Sequence, residues 1–364
     1  MTRYTPKATA LTAALSLTAS IAMAGTAAAD FSLEGEQIEV IVPYSPGGAA
    51  DAYGRFISAQ LGKFLPGSPT VIVRNAPGAG AIAGTNGFQQ DADPDGLTLL
   101  VTSTSTLMNA LLEDPRVKYD LSTMTPVVVN PLGMMVYGHE SLGIEDVGGL
   151  ADLGGDTPLR SGAHTPTSAD LVQLIEFHIL GLDVTPIFGL QRADAKQAFE
   201  RGEISISYDN PLSYNTYVAP MVESGIAMPL YAMGYVDSSG ERVRDPAFPD
   251  LPTFPEAAET VLGEAPSGPA YDAWQTMFFS RVMASKAVLL PEGTPDEIVA
   301  AYQAAAEEMA QDPEFIAETE KMFGGYPTLT GAEAKDRWLA ALKFDDEARA
   351  WLYGWLEESF GVSR

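Results

Sequence analysis

The stretch Ile38-Glu39-Val40-Ile41-Val42-Pro43-Tyr44-Ser45-Pro46-Gly47-Gly48-Ala49-Ala50-Asp51 decides the fold. An apolar run rich in β-branched residues stops at a Pro/Gly loop, and Tyr53, Phe56, Ile57 and Leu61 then recur at helical spacing. The reading is strand, tight loop, then helix over 51–64. The unit repeats, with a strand at 70–73, the loop Asn75-Ala76-Pro77-Gly78-Ala79-Gly80 and a helix over 81–90. A third copy places a strand at 97–102, the loop Ser103-Thr104-Ser105-Thr106 and a helix over 107–112. Strands alternating with helices predict an α/β fold, a parallel sheet covered on both faces.

After extended segments at 126–130 and 134–137 the same grammar restarts. A short strand at 159–161 leads into Gly162-Ala163-His164-Thr165-Pro166-Thr167 and a helix over 168–180, with Leu171, Leu174, Ile175 and Ile179 on one face. A strand at 184–188, a helix over 193–201, a strand at 204–208 and the loop Asp209-Asn210-Pro211 follow. Residues 229–233 run back, and 237–271, rich in Pro, Gly and acids, read as a long irregular connection. The segment 294–360 reads as mostly helical, with Pro295 at a helix start and Trp338, Leu342, Trp351 and Trp355 as packing residues. Two βα sheets in series are expected.

The beginning of the chain reads as an export signal. Arg3 and Lys7 form a basic region, an apolar stretch of small residues runs over 8–24, and Ala27-Ala28-Ala29 supplies a cleavage pattern before Asp30. A membrane anchor is the alternative, but the stretch is Ala/Thr/Ser-rich and short of the ~20 strongly apolar residues a spanning helix needs. No later segment spans either, so no membrane insertion is expected. What remains after residue 29 exceeds the ~250–300 residues that one core organises, which favours two lobes.

The formal charge of −27 makes nucleic acid and anionic lipid poor partners, because both are bound through basic patches. It also sets a problem: an anionic ligand must be held by local dipoles against the field of the whole body. With no cysteine, disulfides, thiolate nucleophiles and Cys-ligated metals are excluded. His139, His164 and His178 show no metal-ligand spacing, and His178 reads as a partly buried ring on a helix. No metal or cofactor is expected.

Ligands in open α/β sheets sit at the carboxyl ends of strands, where loops lead into helix N-termini. Here Gly47 and Gly48 let backbone approach a ligand, and the first helix offers unpaired N–H groups and its positive dipole end, which suits a carboxylate. Gly78, Ala79 and Gly80 offer similar geometry, and Ser103, Thr104 and Ser105 add hydroxyls. Each such loop also serves as a plain turn. In the second half His164, Thr165, Thr167 and Ser168 face the corresponding place, with Thr167 or Ser168 also read as a helix cap. Asp209 and Asn210 are acceptors or turn caps; Arg74 and Arg160, near strand ends, are candidates to assist.

A nucleotide site is the competing reading of these loops. Gly78-Ala79-Gly80-Ala81-Ile82-Ala83 partly matches the dinucleotide pattern, but it follows the second strand, begins with Pro77 and has no ribose-binding acid after the next strand. A hydrolase is the enzymatic alternative; no G-x-S-x-G elbow occurs, and His164 has no evident serine and acid partners. Tyr44, Tyr208, Tyr214 and Trp274 leave open a less polar cleft for an amide or aromatic ligand.

Taken together, six stretches resemble the substrate-binding receptors of tripartite tricarboxylate transporters, also called Bug receptors. They are residues 41–51, 75–80, Pro94-Asp95-Gly96-Leu97-Thr98-Leu99-Leu100, Tyr208-Asp209-Asn210, Asp250-Leu251-Pro252-Thr253 and Pro291-Glu292-Gly293-Thr294-Pro295, in the family's order. The resemblance implies a two-lobed periplasmic binding protein of the Venus-flytrap, type II-like form, with a hinge and a cleft between lobes. Its implied division is 30–132 plus about 233–330 for the first lobe and 133–232 for the second, with 331–364 unassigned. It implies that Tyr44, Ser45, Gly47, Gly48, Asp51, Gly78, Ala79 and Gly80 form the first-lobe grip on a carboxylate, and that Thr167, Ser168 and Asp209, beside Tyr208, complete the cleft. A monomeric, non-enzymatic periplasmic protein is implied, with a small organic anion as ligand and the membrane subunits of a transporter as partners. A subunit presenting ligand to a sensor kinase is the alternative within the same fold. The chain departs from the family at His164-Thr165-Pro166, where a glycine-rich turn is usual, and over 237–285, which is longer than usual.

Overall fold

The computed structural model describes residue 1 and residues 31–153, 158–190 and 192–362. The expected export signal and its cleavage after Ala29 fall outside the described residues. The elements belong to one compact unit, Ser32–Arg364.

Three βα units open the chain: β1 (Gln37–Val42) and α1 (Ala49–Phe64), β2 (Thr70–Asn75) and α2 (Ile82–Asp91), β3 (Thr98–Ser103) and α3 (Thr104–Leu111). The quartet 103–106, expected as a loop, is therefore mostly the first turn of α3; hydroxyl residues at a helix N-terminus read like a loop because they favour caps and turns equally. After β4 (Thr125–Asn130) the chain crosses into a second set of strands: β5 (Met135–His139), β6 (Leu159–Gly162), β7 (Val184–Ile187), β8 (Ile206–Asp209) and β9 (Ala227–Ala232). Helices α4 (Leu171–Ile179) and α5 (Arg192–Glu200) lie among them. The short β10 (Tyr235–Val236) and β11 (Arg242–Val243) pair, and β12 (Lys286–Leu290) and β13 (Leu329–Thr330) return to the first sheet.

The first sheet has the order β13-β4-β12-β3-β1-β2. β1 pairs in parallel with β2 and β3, as the βα repeats predict, but β12 is antiparallel to both β3 and β4, and β13 is antiparallel to β4. The expected all-parallel sheet is thus mixed. Its antiparallel members come from chain that has already visited the second sheet and returns. β12 was absent from the sequence reading; its five residues are all buried, as a strand flanked on both edges and covered on both faces must be. In the second sheet β5 pairs antiparallel with β8 and β9, while β6 and β7 form a separate parallel pair.

The segment 237–271, expected to be irregular, contains a helix over Phe254–Leu262. A capping box opens it, with Thr253 accepting from the Glu256 amide and Glu256 accepting from the Thr253 amide. That helix and the next, Pro269–Phe278, which the sequence reading set in the first lobe, share a buried cluster with α4, β5, β9 and the C-terminal helix Asp346–Phe360. Trp274, Phe254, Phe278, Tyr231 and Leu352 are fully buried there, each large side chain contributing about 1.5–3 kcal/mol through burial. Trp338 is buried under the first sheet and donates from Nε1 to the Leu121 carbonyl. Trp351 and Trp355 stack on each other against the His178 ring.

Two strands of chain connect the sheets side by side. The Leu132 amide, between β4 and β5, donates to the Val282 carbonyl at 2.9 Å, just before β12, and the Met233 amide donates to the Met134 carbonyl at 3.0 Å. Gly133 sits in this crossing, and a Cβ there would lie 2.0 Å from both Asp245 Oδ2 and the Tyr326 hydroxyl oxygen. Asp245 and Tyr326 are hydrogen-bonded to each other and buried.

Candidate ligand-binding site

The two halves build the same kind of turn. After β1, Gly47 takes a φ of +79° and its amide donates to Asp51 Oδ2 at 2.8 Å, so a side chain from the first turn of α1 closes the loop that precedes it. Asn75, at the end of β2, donates to Asp51 Oδ1 at 2.9 Å and to the Tyr44 carbonyl at 3.0 Å, and Arg55 pairs with Asp51 at 3.0 Å. Burial alone would raise the Asp51 carboxyl; the hydrogen bonds from Arg55, Gly47 and Asn75 outweigh it and hold the group below the ordinary carboxylate range. After β6, the His164 amide donates to Asp170 Oδ2 at 2.8 Å, and the Ser168 hydroxyl lies 2.7 Å from that same oxygen. Asp170 is the N-cap position of α4, so the helix expected from residue 168 starts at Leu171 and 168–170 form a turn. Neither α1, α3 nor α4 has a side chain hydrogen-bonded over its N-terminus from the N-cap residue.

These turns border a cavity of about 490 Å³. Of the expected residues, Tyr44, Gly48, Ser103, Thr104, His164, Ser168, Tyr208 and Asp209 line it. Ser45, Gly47, Asp51 and Thr165 do not reach its wall and belong to the turns that shape it. Gly78, Ala79 and Gly80 are not brought to it. Residues 79–81 all have positive φ and form a separate turn, tied to α3 by Asn109 Nδ2 donating to the Gly80 carbonyl at 2.7 Å. Thr167 borders a different cavity, with Leu112 and Leu356. Among the proposed aromatic residues, Trp274 is in the core and Tyr214 packs edge-on against Phe248. Arg74 pairs with Glu39 at 2.7 Å across β1 and β2, and Arg160 is exposed on β6, so neither candidate arginine is in the wall.

The cations that are in the wall, Arg192, Arg281 and Lys286, went unrecognised in the sequence. Arg192 lies over the Tyr208 ring at 3.9 Å, bonds the Tyr208 carbonyl, and stands 3.9 Å from both Asp170 and Asp209. Lys196 reaches Asp209 at 3.4 Å, Tyr137 donates to it at 2.9 Å, and the Tyr208 hydroxyl bonds Asp170. Around the other two lining cations the pattern reverses. Arg281 is flanked by Thr104 Oγ1 at 3.5 Å and by the Met134 sulfur, and its Nε has no hydrogen-bond partner among the described residues. Lys286 donates to Ser103 Oγ at 2.8 Å. Burial, with the Arg281 guanidinium beside it, pushes the Lys286 ammonium down to about 7. The Tyr44 hydroxyl, 2.7 Å from Thr106 Oγ1, is pushed up to about 12 by burial and stays neutral.

No family model matches this chain. It is 26% identical over 303 residues to a UPF0065 protein of Bordetella pertussis, covering 82% of this chain and 84% of that one. It is 34% identical over 116 residues to protein BugT of the same organism, covering 31% and 35% respectively. In fold it is similar to the periplasmic binding protein BugD, with 21% identity, a TM-score of 0.61 and coverage of 90% of this chain and 98% of that one. It is also similar to MatC from Rhodopseudomonas palustris, solved with bound malate, at 21% identity, a TM-score of 0.57 and coverage of 84% and 99%.

Proposed function

We propose that this chain, which is related in sequence and in fold to the Bug-type periplasmic receptors, is a periplasmic solute-binding protein that captures a small organic carboxylate for a membrane transporter. One observation carries the reading: helix N-termini from both halves, with Arg192, Arg281 and Lys286, surround a single cavity in a body of net charge −27. Backbone amides and buried cations concentrate positive potential where the ligand sits. The carboxylate docks on the α1 and α3 wall, and closure about the crossing near Gly133 adds the α4 and Tyr208 wall. Only contacts made in the closed form alone shift the open–closed balance. The lobe division belongs to this reading: the first lobe carries β1–β4, β12 and β13, the second carries β5–β9. The helices over Phe254–Leu262 and Pro269–Phe278 go with the second lobe because they pack on β9 and on α4 respectively, although the buried cluster they belong to reaches Met108 and Leu111 of α3 and Leu112 just after it.

Isothermal titration of the purified protein against mono-, di- and tricarboxylates tests the assignment. Saturable binding of at least one is expected; no heat and no melting shift with any of them would count against it. One contact favours a second reading. Lys286 Nζ donates to Ser103 Oγ, and a serine beside an amine of lowered pKa is one way to arrange a nucleophile and its base. The receptor reading expects no turnover of simple esters; turnover abolished by Ser103→Ala would move the assignment to a hydrolase.

A further inference from the structure

The two walls of the cavity treat charge differently. On the α4 side both carboxylates are fully engaged: Asp170 by the His164 amide, Ser168 and Tyr208, and Asp209 by Tyr137 and Lys196, with Arg192 between them. A ligand ammonium on this wall would meet carboxylates that already have cationic or hydroxyl partners, with Arg192 beside it. On the α3 and β12 side Arg281 and Lys286 are each at least nine-tenths buried, and among the described residues neither has a carboxylate within ion-pair distance. Of the acids near Arg281, Asp170 is committed to the α4 turn, and Glu176, bonded by Trp274 Nε1 at 2.8 Å and the Tyr231 hydroxyl at 3.2 Å, is pushed up to about 8 by burial and is neutral at pH 7.

Arg281 therefore ends against a methionine sulfur and a long contact to Thr104, and Lys286 against a hydroxyl and the Ser285 carbonyl. Sulfur and hydroxyl are poor substitutes for an anion. Two buried like charges side by side are unfavourable until one arrives. They are drawn from chain far in sequence from the glycine loops: Arg281 from the crossing before β12, Lys286 from the first position of β12, held next to Ser103 by the β3–β12 register.

We propose that Arg281 and Lys286 form a dedicated side-chain seat for an acidic group, separate from the backbone amides at the α1 turn, and that the protein selects ligands bearing two anionic groups and no ammonium. This rests on the receptor reading above. One acidic group meets the amides of the α1 turn; the other meets the guanidinium and the ammonium, which supply charge-assisted hydrogen bonds that a monoanion leaves unmade.

The test pairs straight-chain dicarboxylates with monocarboxylates of equal carbon number, succinate with butyrate, glutarate with valerate and adipate with hexanoate, by calorimetry on the wild-type protein. For the length that fits, the dicarboxylate is expected to bind about 100-fold more tightly than its partner, as for two hydrogen bonds to charged groups. Adding an α-amino group to that dicarboxylate is expected to weaken it. Arg281→Gln and Lys286→Met are expected to bring the ratio below about 10-fold, whereas Arg74→Gln, outside the cavity, keeps it. Equal affinities in the wild type, or an undiminished ratio in both variants, overturn the seat while leaving carboxylate capture intact. Silence across the whole panel overturns the receptor reading and the seat with it. The wild-type ratio is decisive even if a variant does not fold.

Discussion

At the scale of single residues, the side chain that closes the first turn comes from its own stretch of chain, and the cations that line the cavity come from far along it. Asp51 lies four residues from the amide it holds, so its role is written in one short stretch of sequence. Arg281 and Thr104, by contrast, are 177 positions apart, and Lys286 and Ser103 are 183 apart. Nothing local marks either basic residue, because only the pairing of β12 with β3 brings them to the cleft. Glu176 was equally hidden: on α4 it is wholly buried, where periodicity alone anticipates an apolar side chain. Burial pushes its carboxyl up to about 8. The folded protein thus keeps this proton through a range in which the unfolded chain has lost it. The group's contribution to stability is full below the ordinary carboxylate range and is lost as pH rises through about 8. Glu176→Gln keeps an acceptor for Trp274 Nε1 and removes the titration. It is expected to flatten the decline in Tm over this window and to melt above the wild type at its upper end. Thermal melts across a pH series check this, and an unchanged slope refutes it.

At the scale of elements, the βα units were readable because each joins a β-branched run to a Gly/Pro loop and a helical period. β12 was missed although Ala287, Val288, Leu289 and Leu290 are entirely buried. A five-residue apolar run carries no alternation, and its central position depends on where the chain has been before it. The helix over Phe254–Leu262 was missed for the opposite reason. Its start signal is present in Thr253-Phe254-Pro255-Glu256, but prolines, glycines and acids on either side make the neighbourhood look irregular. Since the capping box satisfies otherwise unpaired amides at that end, Thr253→Ala is expected to cost about 1 kcal/mol of stability, read by chemical denaturation. A loss below a few tenths would mean that solvent replaces the cap at no cost.

At the scale of the whole molecule, the chain passes from the first sheet to the second through Gly133, where space is tight. Its φ is not unusual; what it requires is space, because the Asp245–Tyr326 pair is packed where a methyl group would go. Gly133→Ala is expected to destabilise the fold by about 1–3 kcal/mol through overpacking, and to change ligand affinity as well if closure pivots there. Denaturation and titration of the same variant separate the two effects.

A pocket lined with cations inside a strongly acidic shell also governs how a ligand gets there. From far away an anion meets repulsion, and only within a few ångströms of the opening does it meet attraction. Added electrolyte screens the distant term more than the near one, because the Debye length shrinks from about 30 Å at 0.01 M to about 8 Å at 0.15 M. Association of a dicarboxylate, followed by stopped-flow tryptophan fluorescence, is therefore expected to speed up as salt is raised over that range, the reverse of ordinary electrostatic steering. Capture would then be quicker at the salt of a dilute physiological medium than in nearly salt-free water.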